Sequence, residues 1–174
     1  LKLGKAEPRS LVLDKVALRG ETEAGPRWIE GTGRLERLAF EFGGRIGIDA
    51  AVGAGSLPFD LVVRSGARAN LKIGGELRRP LAGHDYDIAV EFAMPEIGRI
   101  AEMATEAGFV GMPVPALGPL TFGIELSDKA PGRRLAIDAI RLRLGEQAGT
   151  RVVIDGAIRD PLGLIQDPPA PLGL

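Results

Sequence analysis

Apolar residues recur at every second position along most of the chain, which is the period of a β-strand with one buried face. The clearest case is the segment 84–94, in which acidic or small residues separate the apolar series Tyr86, Ile88, Val90, Phe92 and Met94. The same alternation occurs in the segments 59–63, 71–77, 120–126 and 152–158. The pattern predicts a mainly β fold, in which antiparallel strands form a groove or an incompletely closed sandwich or barrel.

One stretch departs from this period and predicts the single short helix of the chain, at about residues 95–108. Its apolar residues follow helical spacing, as in Ile97, Ile100 and Ala104. Pro95 suits a first helical turn and Gly108 suits the position after the last one. The three prolines between residues 112 and 119 then predict an extended connection into the next strand.

Three irregularities in the alternation predict β-bulges, which add one residue to a strand. The segments 11–18 and 135–142 resemble each other, and in each an aspartate, Asp14 or Asp138, stands where the apolar period slips by one. In the segment 28–42 the period is interrupted near Arg37, and a bulge there would restore it. A second internal similarity joins GELRRPLAG at 75–83 to GAIRDPLG at 156–163, which predicts two strands that each end in a Pro-Leu turn.

The length of 174 residues predicts one β domain over 1–165, and the Pro-rich residues 166–174 are predicted to form a tail that leads out of the domain. The chain starts at Leu1 and shows no signal-peptide pattern, so we interpret it as a fragment of a longer protein. It contains no apolar run long enough for a membrane-spanning helix. Its 25 glycines and 13 prolines favour many turns over long helices.

Charge and residue content make several functions unlikely candidates. The net charge is −1 and the basic residues are scattered, which predicts no nucleic-acid partner. The chain has no cysteine and one histidine, which argues against thiolate chemistry, a zinc site or a histidine-based triad. We expect no metal and no cofactor.

Candidate catalytic groups are few. The segment 84–87, His-Asp-Tyr-Asp, is the one place where an imidazole and carboxylates cluster, but on a strand the two aspartates face away from His84. We interpret this segment as a turn that enters a strand. Two carboxylates can still meet across strands as a glycosidase pair, which the sequence does not show. Gly31 to Gly33 and Gly43 to Gly44 open no helix, so they do not match phosphate-binding loops. We predict no catalytic residue and no enzyme activity.

The continuous apolar face of the strands is the remaining candidate site. Aromatic residues make up only 5% of the chain, so its surface is predicted to be smooth and aliphatic. The residues predicted to line it are Phe59, Leu61, Val63, Tyr86, Ile88, Val90, Phe92, Phe122 and Ile124.

Several motifs of the chain occur in a fixed order. A Gly-x-aliphatic-x-x-Pro-Leu turn at 75–81 precedes the strand to Met94 and the helix. A Pro-x-x-Gly-Pro segment at 115–119 follows, then the strand to Leu126, and a Leu-Gly strand ending at 144–145. This order resembles the AsmA family, best over about residues 57–163 and extending back to Leu11.

The resemblance implies a periplasmic segment of a Gram-negative envelope protein whose parent is anchored in the inner membrane. Members of this family look like long, incompletely closed β-grooves that conduct phospholipid acyl chains and support outer-membrane biogenesis. It implies lipid transport, envelope protein partners and no catalytic residues. The absent anchor and the Pro-rich tail depart from the family pattern. Two alternatives remain open: a β-sandwich adhesion module that recognises a protein or glycan through its loops, and a hydrolase with carboxylates near His84.

Overall fold

The computed structural model describes residues 10–20, 25–47, 56–79, 84–109, 114–128, 135–145 and 151–158. In these residues nine antiparallel strands form one sheet that is not closed into a barrel, which confirms the predicted fold class. The strands are β1 (Leu11–Gly20), β2 (Arg27–Leu35), β3 (Leu38–Ile46), β4 (Leu57–Ser65), β5 (Ala69–Arg79), β6 (His84–Met94), β7 (Leu120–Ser127), β8 (Ala136–Leu144) and β9 (Val152–Ile158).

The order of the strands in the sheet is their order in the sequence, from β1 at one edge to β9 at the other. Each inner strand therefore pairs with the strand that precedes it and the strand that follows it, as in a meander, and the edge strands β1 and β9 pair with one neighbour each. Short connections suit this order, because antiparallel neighbours need only a turn between them. The predicted tail, residues 166–174, lies outside the described residues.

The bulges predicted at Asp14 and Asp138 are confirmed. The pairing of β1 with β2 shifts between Leu13 and Lys15, so Asp14 is the extra residue. In β8, Ala139 pairs with Glu125 and Ile137 pairs with Leu126, which leaves Asp138 without an opposite residue. Each bulge restores the apolar side chains of its strand to the same face of the sheet.

The bulge predicted near Arg37 is wrong, because residues 28–42 form two strands instead of one. β2 ends at Leu35, β3 begins at Leu38, and these two leucines pair across a two-residue turn. Glu36 has a φ of 54° in that turn, a conformation that usually selects glycine or asparagine. Its backbone N–H donates to the Ser10 carbonyl at 2.8 Å, and its carboxylate accepts from the Ser10 N–H at 2.6 Å.

The predicted helix is present but shorter than residues 95–108. A 3-10 turn, Ile97–Arg99, leads directly into α1 (Ile100–Glu106), and together they form what we call the end helix. Glu96 lies outside the helix in an extended conformation, and its side chain caps the first turn by accepting from the Gly98 N–H at 3.1 Å. After the helix, Gly108 has a φ of 77°, the left-handed conformation expected of a glycine that ends a helix.

The end helix covers a small hydrophobic cluster at one end of the sheet. The buried cluster consists of Ala69, Met94 and Leu120, and Ile97, Ile100 and Met103 of the end helix pack against it. We call this end of the sheet the helix end and the opposite end the far end. Across the rest of the sheet the described residues include no second layer, because substantial contacts between strands join only neighbours in sequence.

Candidate functional site

Cross-strand pairing aligns apolar residues of all nine strands on one side of the sheet. Three neighbouring rows cross the full width of the sheet, and we call their surface the apolar face. The first row is Leu18, Ile29, Gly44, Leu61, Ile73, Val90, Ile124, Ile140 and Gly156. The second row, nearer the helix end, is Val16, Gly31, Phe42, Val63, Leu71, Phe92, Phe122, Leu142 and Ile154. The third row is Gly20, Arg27, Ile46, Phe59, Gly75, Ile88, Leu126, Ile137 and Ile158.

These rows make a broad surface with almost no charge. Arg27 is the one charged residue among them, and it belongs to the row nearest the far end. Neighbouring strands lie roughly 4.8 Å apart, so a row that crosses nine strands is about 38 Å long. A strand of nine residues adds about 30 Å in the other direction.

The nine residues predicted to line an apolar surface all lie on this side of the sheet. Eight of them belong to the three rows, and Tyr86 extends the face by one position towards the far end, where it pairs with Leu77. Each of the nine is half-buried. Their position on one face agrees with the alternation in the sequence, and their contact with lipid stays a prediction.

The apolar face is not covered by another layer of the described structure. No residue of the three rows is buried, although most of them are large aliphatic or aromatic residues. The rows are most exposed at the two edges of the sheet, where Leu18 on β1 is 64% exposed and Ile154 on β9 is 54% exposed. In a closed sandwich these positions would form the interior.

Two phenylalanines of β3 lie over glycines of β2. A Cβ atom built on Gly31 would lie 2.5 Å from Cζ of Phe42, and one built on Gly33 would lie 2.8 Å from Cζ of Phe40. The glycines therefore leave room for the rings to lie across the neighbouring strand. The centroids of the two rings are 6.3 Å apart. The rings fill the space that side chains of β2 would otherwise occupy, so the apolar face stays flat over β2 and β3.

The end helix is held against the sheet by a partly buried network at the helix end. Both carboxylate oxygens of Glu106 accept from Nη1 of Arg68, at 2.8 and 2.9 Å, and Nη2 of Arg68 donates to Oγ of Ser65 at 3.2 Å. Ser65 in turn donates to the Ala39 carbonyl at 3.0 Å, and the Arg37 N–H donates to the Glu106 carbonyl at 2.8 Å. The hydrogen bond to Glu106 raises the pKa of Arg68. The network closes this end of the apolar face.

The far end has a more polar character. The Asp128 carboxylate accepts from the backbone N–H groups of Asp85 and Tyr86, at 2.6 and 3.0 Å, and Arg79 forms an ion pair with Asp85. Burial, and secondarily the negative charge of Asp128, raise the pKa of the Tyr86 hydroxyl above its ordinary value of 10.0. Polar groups therefore lie beside the far end, while the helix closes the other end.

The opposite side of the sheet carries most of the charged residues, and we call it the polar face. Its ion pairs include Arg19 with Glu30 at 2.7 Å and Arg141 with Glu125 at 2.9 Å. These side chains are about half exposed, so each pair stabilises the fold by at most about 1 kcal/mol. Open depressions form on this face where small residues such as Gly43 and Gly123 lie among longer polar ones. Of the charged residues that line these depressions, Glu30 pairs with Arg19, and Arg141 pairs with Glu125.

Metal-ligating side chains and the carboxylates near His84 are the remaining candidates for a chemical site. No group of three or more histidine, cysteine, aspartate or glutamate side chains within them is placed to hold a metal ion. Residues 84–87, which were predicted to be a turn that enters a strand, are the first residues of β6 itself, and Asp85 has a φ of 61° there. The carboxylate of Asp128 is occupied by two backbone donors and that of Asp85 by Arg79.

The apolar face is larger than the predicted set of nine residues. Its additional members come from β1, β2, β3, β5, β7, β8 and β9, for example Leu18, Phe42 and Leu142. The members on β1 and β8 can be identified from the two aspartate bulges. Each bulge adds one residue, and if that residue is skipped the apolar alternation continues along the strand. For β3 the alternation is harder to recognise, because the turn at Glu36 and Arg37 interrupts it between β2 and β3.

No protein-family model matches the chain, and neither does any curated protein or any solved structure. Among the helices of the described residues, none is long and apolar enough to cross a membrane.

Proposed function

We propose that the apolar face binds the acyl chains of phospholipids and that the chain is a non-catalytic module of envelope biogenesis. The observation that carries this proposal is the three apolar rows, which cross all nine strands and have no buried member. Monomeric proteins rarely expose apolar surfaces of this extent unless the surface binds something. Apart from Arg27, the three rows contain only apolar residues and glycines, which suits hydrocarbon better than a polar ligand.

The dimensions and chemistry of the face suit hydrocarbon chains. One leaflet of a bilayer has roughly 15 Å of hydrocarbon, about half the length of a nine-residue strand. Each methylene removed from water contributes about 0.8 kcal/mol, whatever its orientation. A smooth aliphatic surface therefore holds a chain without fixing its position, which suits transfer along the face better than tight recognition.

The motif order that resembles the AsmA family supports the same proposal. On this basis we place the chain in the periplasm, in a parent protein that is anchored to the inner membrane and passes phospholipid towards the outer membrane. Envelope proteins are the expected protein partners. The alternative, a β-sandwich that recognises a protein or glycan through its loops, would be favoured by two closed sheets, and the described residues form one sheet.

Photo-crosslinking tests the proposal directly. A photoreactive amino acid replaces Val90 at the centre of the first row, or Glu91, the next residue of β6, which faces the polar side. The protein is mixed with vesicles of phosphatidylethanolamine and phosphatidylglycerol and illuminated. We expect lipid adducts at position 90 and few or none at position 91, because only the apolar face contacts acyl chains.

A substitution gives the complementary result. Val90→Asp places a carboxylate among apolar neighbours, where its desolvation opposes the binding of a hydrocarbon chain. We expect the affinity for a fluorescent phospholipid to fall at least about tenfold, while Glu91→Gln leaves it within about twofold. Equal adduct yields at positions 90 and 91, together with unchanged affinity in Val90→Asp, would contradict the proposal.

A further inference from the structure

The outer edge of β9 is a second surface without a partner in the described part of the chain. Among the described strands, β9 pairs with β8 alone, so its N–H and C=O groups on the outer side have no strand partner in that part of the chain. Its side chains are exposed on both faces of the sheet, with Val152 at 41%, Val153 at 42% and Ile154 at 54%. An exposed apolar edge of this kind is a template for strand pairing.

The opposite edge differs, because β1 carries features that discourage pairing. Asp14 forms a bulge in β1, and Lys15 follows it. Bulges and lysines are the usual means by which sheet edges avoid other strands. The segment Val152–Ile158 contains no lysine and no proline. Its pairing with β8 shifts only across Asp138 and Ala139, which lie on β8. The two edges are therefore not equivalent, and β9 is the one suited to accept a strand.

Two glycines of the internal repeat strengthen this argument. Gly75 begins the repeat in β5, and a Cβ atom there would lie 2.9 Å from the Ile88 Cα of β6 and would overlap the Asp87 carbonyl oxygen. Gly156 holds the matching position in β9, and a Cβ there would have no atom within 4 Å. The close approach of a neighbouring strand accounts for Gly75. Gly156 would have the same reason if a strand lay against β9.

We propose that β9 pairs with β9 of a second copy of this chain, antiparallel and about a twofold axis that passes through Ile154. In this register Ile154 faces its own counterpart, and Val152 faces Gly156 of the other copy. The large residue opposite a glycine repeats the arrangement of Phe42 and Gly31. The apolar faces of the two copies then form one continuous surface, because a twofold axis perpendicular to the sheet keeps both on the same side.

The charged residues near β9 favour this register over the one shifted by one residue. A twofold axis through Asp155 would place two aspartates opposite each other, which is destabilising. With the axis through Ile154, Asp155 faces Val153 and lies diagonal to Arg151 of the other copy. Like-charge contact is thereby replaced by two symmetric opposite-charge contacts.

Residues 159–174 are poorly suited to pair along the same edge. Residues 161, 168, 169 and 171 are prolines, which cannot donate to a strand ladder. A second copy supplies a strand of matching length and pattern without this restriction.

Matched lysine substitutions test the pairing. Ile154→Lys places two ammonium groups opposite each other at the twofold axis, whereas Leu13→Lys introduces the same charge on β1 at a site of similar exposure, 53% against 54%. We expect analytical ultracentrifugation to show a concentration-dependent dimer for the unmodified chain and for Leu13→Lys. We expect Ile154→Lys to weaken dimerisation at least about a hundredfold, with an unchanged circular dichroism spectrum.

A cysteine crosslink identifies the strand and the register, because the chain has no cysteine of its own. Under mild oxidation, Ile154→Cys is expected to form a disulfide-linked dimer in high yield, whereas Leu13→Cys and Val153→Cys are not, since neither faces itself in this register. A chain that stays monomeric at every concentration would overturn the proposal. It would also be overturned by a dimer that survives Ile154→Lys but is lost in Val90→Asp, because that result places the contact on the apolar face.

Discussion

The buried cluster at the helix end and the first row of the apolar face lie on the same strands but differ in their surroundings. Met94 of β6 is 2% exposed beneath the end helix, whereas Val90, four residues earlier on the same strand and the same face, is half-buried and has no described element above it. Both residues are apolar, and the end helix accounts for the difference in their exposure. The helix end of the sheet thus buries its apolar residues, which stabilises the fold. The open rows keep apolar surface exposed, although covering it would add stability.

The most sensitive test of this difference is to shorten one side chain in the buried cluster and one in the first row. Met94→Ala deletes buried methylenes and leaves a cavity, so we expect the free energy of unfolding to fall by about 2–5 kcal/mol. Val90→Ala removes half-exposed groups and is expected to cost less than about 1 kcal/mol. Urea unfolding curves of the two variants would measure both values, and equal losses would show that the open rows are covered in solution.

Away from the end helix, the sheet is stabilised mainly by pairing between strands. The two glycines of the internal repeat, Gly75 and Gly156, allow this contribution to the free energy of unfolding to be measured. Gly75→Ala places a methyl group against the backbone of β6 at a φ of 154°, so we expect a loss of at least about 2 kcal/mol. Gly156→Ala, at the matching position of the repeat, meets no atom of its own chain within 4 Å, so at concentrations where the chain is monomeric we expect it to change the unfolding free energy by less than about 0.5 kcal/mol. Thermal unfolding of the two variants compares them, and a reversed order would contradict the described pairing of β5 with β6.

A smaller effect is expected from the link that holds the end helix. Arg68→Gln removes the ion pair to Glu106, which is partly exposed, so we expect a loss of about 1 kcal/mol. The change should be concentrated in the end helix, where hydrogen exchange is expected to accelerate for residues 100–106 while β6 and β7 keep their protection. Arg78→Gln provides the control, because Arg78 and its partner Glu76 both belong to β5 and link no other element. Equal exchange in the two variants would show that Arg68 does not secure the helix.

The smallest effect concerns Tyr86 at the far end. It is the only tyrosine of the chain, so its ionisation can be followed alone by the ultraviolet absorbance of tyrosinate. Because burial raises its pKa above 10.0 and Asp128 adds to the shift, Asp128→Asn is expected to lower that pKa. The raised pKa favours the folded state below pH 10.0, and this contribution is lost as the pH rises through the folded-state pKa. A titration of folded Tyr86 at the ordinary value of 10.0 would contradict its described surroundings.

Much of the fold could be predicted from the sequence because alternation is a local property. Side chains on a strand must point to opposite faces, so the segment 84–94 specifies its own apolar side. The bulges at Asp14 and Asp138 were predictable for the same reason, since an extra residue reverses the phase of everything after it. The Glu36 and Arg37 turn was missed because it lacks the glycine or asparagine that usually occupies such turns.

The state of the apolar face could not be predicted in the same way. An alternating strand looks identical in sequence whether its apolar side meets a second sheet, a helix or nothing. Met94 and Val90 illustrate this, because both belong to one uninterrupted series and only one of them lies beneath the end helix. Coverage depends on contacts between distant elements, which no local pattern encodes.

The meander order of the sheet also has a consequence for how the chain folds. Every strand pairs only with its neighbours in sequence, so no pairing has to wait for a distant part of the chain. Such low contact order favours fast folding, and the sheet can grow one hairpin at a time from any starting point. Its stability then approximates a sum over neighbouring strand pairs, as in repeat proteins. The strands at the edges of the sheet are therefore expected to fray and re-form while β5, β6 and β7 stay paired beneath the end helix.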